Sequence, residues 1–212
     1  MDSALVAGWT ALGGAAGVAL AWRLPVPVRA MVGICAALAW LALAGRFGGR
    51  PVLLAFGWFA VVGVVLAATD LVERRLPNRL TLPSYPALLA LFTLAAAAEK
   101  DHRALVRAVL VTAVALVVHL VIYLGAPGQL GAGDVKASGL CGLVVGWLGW
   151  SAAGSALLLC YLTAAITLAV ARVAARLRRR GRVGEVPLGP FLIGASLLVL
   201  LLGHTWPWPP TL

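Results

Sequence analysis

The chain has 212 residues, of which 62% are hydrophobic and only 11% are charged, and its mean hydropathy is +1.00. A water-soluble domain of this length could not bury so much apolar surface, so the composition excludes a soluble globular protein. The formal net charge of +10 does not indicate a nucleic-acid partner, because the basic residues stand in short loops between apolar segments, where they set membrane topology.

Apolar runs recur along the whole chain, and a run of about 20 residues is long enough to cross a bilayer as a helix. Only a helix satisfies its own backbone hydrogen bonds in lipid, so the sequence predicts an all-α fold, a polytopic transmembrane helix bundle of about eight spans. In chain order the predicted spans are Ala4–Trp22, Ala30–Ala44, Pro51–Thr69, Leu82–Ala98, Ala104–Leu124, Ala137–Trp150, Ser151–Ala174 and Pro190–Gly203. No linker or soluble segment divides them, and residues 1–212 are predicted to form one transmembrane domain.

Two pairs of glycines are predicted to lie where helices pack together. Gly13 and Gly17 belong to the first span, and Gly142 and Gly146 belong to the sixth. Small residues at this spacing let two helices approach closely.

The loops predict how the bundle is oriented. If the N-terminus is outside, the inner loops hold far more Lys and Arg than the outer loops, which is the arrangement that the positive-inside rule favours. Arg74 and the run Arg178–Arg180 are then cytoplasmic, and Lys100 is outside. The sequence therefore predicts a multi-pass membrane protein with its most basic loops in the cytoplasm.

Two carboxylates stand where apolar spans meet the predicted cytoplasmic loops. Asp70 directly follows the third span, and Asp134 ends the segment Gly131-Ala132-Gly133-Asp134 just before the sixth. Acidic side chains at membrane depth are costly and usually functional. The alternative is that each Asp only marks a helix end, but two of them on one face favour a functional pair.

A pair of carboxyl groups that shares one proton can hydrolyse a peptide bond. The ionised group activates a water molecule, and the neutral group protonates the carbonyl oxygen. No cofactor is needed, and no metal site is indicated, since Cys35, Cys141 and Cys160 form no C-x-x-C pair. Helix dipoles favour the proton on Asp70, at a helix C-terminus, and the charge on Asp134, at a helix N-terminus.

Residues close to the pair are candidates for supporting it or binding substrate. Gly131 and Gly133 allow backbone conformations closed to other residues and close approach by a substrate strand, and the alternative is that they form an ordinary flexible turn. Pro77 breaks the chain between two spans, and Asn78 either belongs to the site or caps the next helix. Lys136 either holds the site or adds an inner positive charge. His119, inside the fifth span, is expected to be a satisfied bundle histidine and not a catalyst.

Taken together, the motifs resemble the type IV prepilin peptidase family of GxGD-type intramembrane aspartyl proteases. The resemblance rests on Asp70 with Leu76-Pro77-Asn78, on the segment Gly131–Lys136, on the spacing of the two Asp residues, and on the segment Val186–Phe191 before the last span. It implies an aspartic-type endopeptidase with Asp70 and Asp134 as its catalytic pair. The implied partners are the lipid bilayer and a prepilin or pseudopilin of a type IV pilus or protein secretion system. The leader peptide would be cut at the cytoplasmic face, just before the substrate's hydrophobic helix.

The first loop departs from the larger members of that family. Those members carry a zinc-binding domain with two C-x-x-C pairs between the first two spans, and they also methylate the new N-terminus of the substrate. Here the loop is only Arg23–Arg29. The chain therefore resembles a short form, in which zinc is not expected and methyltransferase activity has no support.

Two other functions fit part of the pattern. A small proton-coupled transporter would use Asp70 and Asp134 as a proton path, but it would favour an internal repeat and polar residues near mid-bilayer. The sequence shows no evident repeat, and its acids cluster at one face. A non-catalytic membrane subunit of a pilus or secretion machine would tolerate substitution of both Asp residues.

Overall fold

The computed structural model describes residues 3–126, 130–177 and 187–203, and these ranges contain eight α-helices and no strand. In chain order the helices are α1 (Ser3–Leu20), α2 (Val26–Phe47), α3 (Val52–Glu73), α4 (Asn78–Glu99), α5 (His102–Gly125), α6 (Ala132–Leu148), α7 (Trp150–Leu177) and α8 (Gly189–Leu202).

The prediction of an all-α bundle is confirmed, with one helix for each predicted span. Five of the described helices, α2, α3, α4, α5 and α7, are long and apolar enough to cross a membrane. The other three are shorter, with 18 residues in α1, 17 in α6 and 14 in α8. The protein is therefore a multi-pass membrane protein. The basic run Arg178–Arg180 lies outside the described residues.

Several helices extend further than predicted, and two of these extensions matter for the carboxylates. The third span does not end at Thr69, because α3 continues to Glu73 and takes Asp70 into its last turns. The sixth helix begins at Ala132, so Asp134 lies in its first turn. The edges of the predicted spans were placed where the apolar residues end, whereas a helix continues through polar residues until its backbone is capped.

α3 is the central helix of the bundle. In an 18-residue stretch of α3, 72% of the residues are buried, against 11% for the outer helix α7. The rings of Phe56 and Phe92 pack edge to face at 5.8 Å, and Phe92 stacks on Trp147 at 4.9 Å. These contacts join α3, α4 and α6 through the middle of the bundle, so the ends of these helices are held in a fixed relation.

The second glycine pair packs α6 against α5, as predicted. A Cβ added to Gly142 would lie 3.1 Å from the Thr112 Cα, and one added to Gly146 would lie 2.9 Å from the Ala108 Cα. Backbones this close leave no room for larger side chains. The pair in α1 is confirmed too, because a Cβ on Gly17 would lie 3.0 Å from the Ala36 Cβ in α2.

The C-terminal end of α6 is held by an arginine from the neighbouring helix. Arg107 of α5 donates from Nε to the Gly146 carbonyl at 2.8 Å, and from Nη2 to the Trp147 carbonyl. The last carbonyls of a helix lack partners within the helix, and a cation there also matches the helix dipole. Arg107 therefore fixes the end of α6 that is opposite to Asp134.

Candidate active site

Asp70 lies in a buried position near the end of α3. The helix stops at Arg74, which takes a left-handed conformation with φ of 52° and donates its N–H to the Asp70 carbonyl at 2.9 Å. The Asp70 side chain is only 6% exposed. Its Oδ2 atom is buried and has no hydrogen-bond partner among the described residues. An unpaired buried oxygen is costly and calls for an explanation.

Asp134 lies at the N-terminal end of α6, in its first turn, whereas Asp70 lies near a C-terminal end. Gly131 is the residue that precedes the helix, and its N–H donates to Asp134 Oδ2 at 3.2 Å. The Asp134 N–H donates in return to the Gly131 carbonyl at 3.0 Å. This reciprocal pair holds the carboxyl group against the positive end of the helix dipole.

The fold places Asp70 and Asp134 at neighbouring ends of packed helices. The helices α3, α6 and α8 pack against one another. Leu76, just after α3, lies beside Gly133 at the start of α6, and Gly189 at the start of α8 lies beside the Asp70 carboxyl group. That Asp70 and Asp134 act together as one catalytic site stays a prediction.

The two sequence motifs also contact each other directly, through Gly133. A Cβ on Gly133 would lie 3.0 Å from the Cβ of Leu76 and 3.2 Å from its Cδ1. Neither glycine uses a backbone conformation closed to other residues here, because Gly131 is extended (φ −80°, ψ 146°) and Gly133 is helical. What Gly133 contributes is its missing side chain, which lets the loop before α4 pack on the start of α6.

Lys136 and Asn78 form a second link between the motifs. Lys136 Nζ donates to Asn78 Oδ1 at 2.9 Å. Pro77 is the residue that precedes α4, and no side chain caps this helix. Of the two alternatives for Asn78, the helix cap is therefore not seen, and its side-chain oxygen accepts from Lys136 instead. A role of Lys136 in holding the site stays a prediction.

Tyr85 is a site residue that the sequence analysis missed. Its hydroxyl donates to the Lys136 carbonyl at 2.6 Å. A Cβ on Gly139 would overlap this hydroxyl, so Tyr85 reaches α6 only because Gly139 has no side chain. The bond ties α4 to the first turns of α6. A lone tyrosine in an apolar span carries no local signal, and only the contact with α6 reveals its role.

Gly189 is the second residue whose place in the site was missed. It begins α8, and a Cβ added to it would lie 2.6 Å from Asp70 Oδ2. The sequence signal was present in the segment Val186–Phe191, to which no role was given. Val186 itself lies outside the described residues.

The histidine of α5 is satisfied within the bundle, as predicted. His119 is 1% exposed, its Nδ1 is 2.9 Å from the Ala115 carbonyl oxygen, and its Nε2 is 3.3 Å from the Tyr161 hydroxyl. Cys35, Cys141 and Cys160 are all free thiols. In the parts of the chain that the structure describes, no three His, Cys, Asp or Glu side chains are grouped so that they could hold a metal ion.

Comparison with known proteins identifies the family. Residues 57–203 match the model of the type IV leader peptidase family. The match covers well over half of the chain and includes Asp70, Asp134 and Gly189. Searches among curated proteins and among solved structures found no match. The chain belongs to the type IV leader peptidase family.

Proposed function

We propose that the chain is an aspartic endopeptidase in which Asp70 and Asp134 are the catalytic pair. The observation that carries the proposal is the position of Asp70 near the end of α3 and of Asp134 at the start of α6, two helix ends that lie side by side where Leu76 packs on Gly133. Two carboxyl groups in such a position share a proton more easily than they hold two charges. Family membership supports peptide hydrolysis as the reaction.

The pair performs hydrolysis by general acid and base catalysis. The ionised carboxylate takes a proton from a water molecule, and the water oxygen attacks the peptide carbonyl carbon. The neutral carboxyl group gives its proton to the carbonyl oxygen. As the C–N bond breaks, the proton held by the first group passes to the leaving amine. The second group takes a proton back from a hydroxyl of the tetrahedral intermediate as the new carboxyl group forms, so the pair returns to its starting state. Every proton in this cycle is carried by Asp70, Asp134 or water.

The surrounding residues fix the positions of the helix ends that carry Asp70 and Asp134. Gly131 holds Asp134, and Gly133 seats the α6 start on the loop that contains Pro77. Lys136 and Asn78 add a polar link between the same two segments. Small displacements of catalytic groups cost large factors in rate, so these contacts support a positioning role.

The substrate class follows from the family. We infer that the chain cleaves the leader peptide of a prepilin or pseudopilin, at the cytoplasmic face of the plasma (inner) membrane. Asp70 lies next to the loop after α3, whose Arg74 and Arg75 favour the cytoplasmic side, and Asp134 lies two residues before Lys136, which favours the same side. A proton path across the bilayer, as in the transporter alternative, gains no support from two carboxyl groups that lie together at helix ends.

Co-expression with candidate prepilins tests the function. We expect a leader-sized decrease in substrate mass on a gel, and mass spectrometry of the product should place the cut just before its hydrophobic helix. The purified protein should keep this activity in a strong chelator, because two carboxyl groups suffice for the reaction. The product should carry an unmethylated N-terminus. Activity that is lost in chelator and restored by zinc would contradict the mechanism.

A further inference from the structure

The start of α8 lies against Asp70 with unusually little space between them. A Cβ built on Gly189 would lie 2.6 Å from Asp70 Oδ2, 3.2 Å from Cγ and 3.5 Å from Cβ. Real Cβ atoms essentially never come within 3.0 Å of a heavy atom outside their own residue and its chain neighbours. Any other residue at position 189 must therefore displace either the Asp70 carboxyl group or the start of the helix.

The first turn of α8 begins with the backbone N–H of Gly189. Pro190 has no N–H, and the N–H groups of Phe191 and Leu192 both donate to the Leu188 carbonyl, at 3.1 and 3.0 Å. Within the described residues, no acceptor takes the Gly189 N–H. The N–H groups at a helix start carry partial positive charge and are suited to a carboxylate.

The acceptor that matches this donor is Asp70 Oδ2. This oxygen belongs to a side chain that is 94% buried (6% exposed), and it has no hydrogen-bond partner among the described residues. The Asp70 carboxyl group lies beside Gly189, since a Cβ built on this glycine would be 2.6 Å from Oδ2. A buried donor and a buried acceptor thus lie close together at the start of α8.

We propose that Gly189 is a positioning residue for the Asp70 carboxyl group. Its N–H is the donor that holds Asp70 whenever this group is ionised in the catalytic cycle, and its missing side chain gives the carboxyl group access to that donor. The start of α8 is thus a third part of the active site, beside the ends of α3 and α6. This assignment rests on the proposed aspartic peptidase function.

The kinetic test compares Gly189→Ala with two matched controls in the purified full chain. Gly63→Ala alters the same α3–α8 interface away from Asp70, since its Cβ would lie 2.8 Å from the Ile193 Cγ2. Gly194→Ala lies on α8 and meets no atom within 4 Å. We expect Gly189→Ala to lower kcat for a prepilin substrate by about 10²-fold with KM nearly unchanged, and both controls to keep most of the activity. A Gly189→Ala variant no slower than Gly63→Ala would overturn the proposal.

A double-mutant cycle tests the contact without any activity measurement. Gly189→Ala should lower the Tm of the wild-type chain by about 5 °C, because the added methyl group overpacks against the carboxyl group. In an Asp70→Ala background the two closest contacts are gone, so the same change should cost little. Rescue of a poorly folded Gly189→Ala variant by Asp70→Ala would support the contact in the same way.

The two measurements separate failure of the inference from failure of the proposed function. Equal Tm losses in both backgrounds, or misfolding of both the single and the double variant, would show that Gly189 serves α8 and not Asp70. If the wild-type chain cleaves no leader peptide while the cycle shows coupling, the contact stands and the peptidase proposal falls. A wild-type chain that cleaves normally, with Gly189→Ala equally active, removes only the role of Gly189.

Discussion

At the scale of single residues, the most direct expectation concerns the two carboxyl groups that we propose as the catalytic pair. Asp70→Asn and Asp134→Asn should each lower leader cleavage by about 10² to 10⁴-fold, because an amide can neither accept nor donate the shared proton. Asn has nearly the same shape, so each variant should remain in the membrane with a Tm close to that of the wild-type chain. Full activity in either variant would remove the pair from the mechanism.

The position of the shared proton is a separate residue-scale prediction. In the free enzyme we expect it on Asp70, whose Oδ2 is buried without a described partner, since burying an unpaired charge is costly. The charge is expected on Asp134, which accepts the Gly131 N–H at the start of a helix. The infrared band of a protonated carboxyl group should therefore vanish in Asp70→Asn and persist in Asp134→Asn. The opposite pattern would reverse the two roles.

At the scale of helices, Tyr85 joins α4 to the start of α6. Tyr85→Phe should lower the free energy of unfolding by about 1 kcal/mol, since it removes the hydrogen bond to the Lys136 carbonyl. Cleavage should fall as well, because α6 positions Asp134. Tyr123→Phe is the matched control, on a more exposed side chain of α5. Thermal unfolding in detergent and cleavage rates measure both effects, and identical behaviour of the two variants would argue against this role of Tyr85.

The other end of α6 offers a second prediction at this scale. Arg107→Met should cost about 1.5–3 kcal/mol of unfolding free energy, because two helix carbonyls lose a charged donor. Arg103→Met removes the same charge one turn earlier on α5, where the side chain is exposed, and it should cost less than about 0.5 kcal/mol. Chemical denaturation in micelles compares them. A loss of stability in Arg103→Met as large as that in Arg107→Met would assign the effect to net charge.

At the scale of the whole molecule, the orientation in the membrane can be measured. In a chain whose three native Cys are replaced by Ala, Lys100→Cys should react with an impermeant thiol reagent in intact cells. Arg75→Cys should react only after the membrane is opened, because the basic loops favour the cytoplasm. Protection of position 100 together with labelling of position 75 would invert the predicted topology and place the carboxyl groups of Asp70 and Asp134 on the outer side.

The sequence by itself determined that the fold is a helical bundle, how many helices it has, and that Asp70 and Asp134 lie near helix ends. These features depend on local quantities: the length of each apolar run, and the high cost of a charge near lipid. Helix edges near Asp70 and Asp134 were placed less well, because hydropathy does not record where a helix backbone is capped. The left-handed Arg74, which ends α3, has no signal in hydropathy.

Only the tertiary structure decided how the site is held. Tyr85 reaches α6 because Gly139 leaves room for its hydroxyl, and Leu76 seats on Gly133. The start of α8 comes against Asp70, although the two are far apart in the chain. The sequence places Asp70 near the C-terminal end of its own helix, where the dipole disfavours a negative charge. The packing adds the N-terminal end of α8 beside it, where the dipole favours one. Which ends of which helices meet depends on the packing of whole helix faces, and no local pattern of residues encodes that.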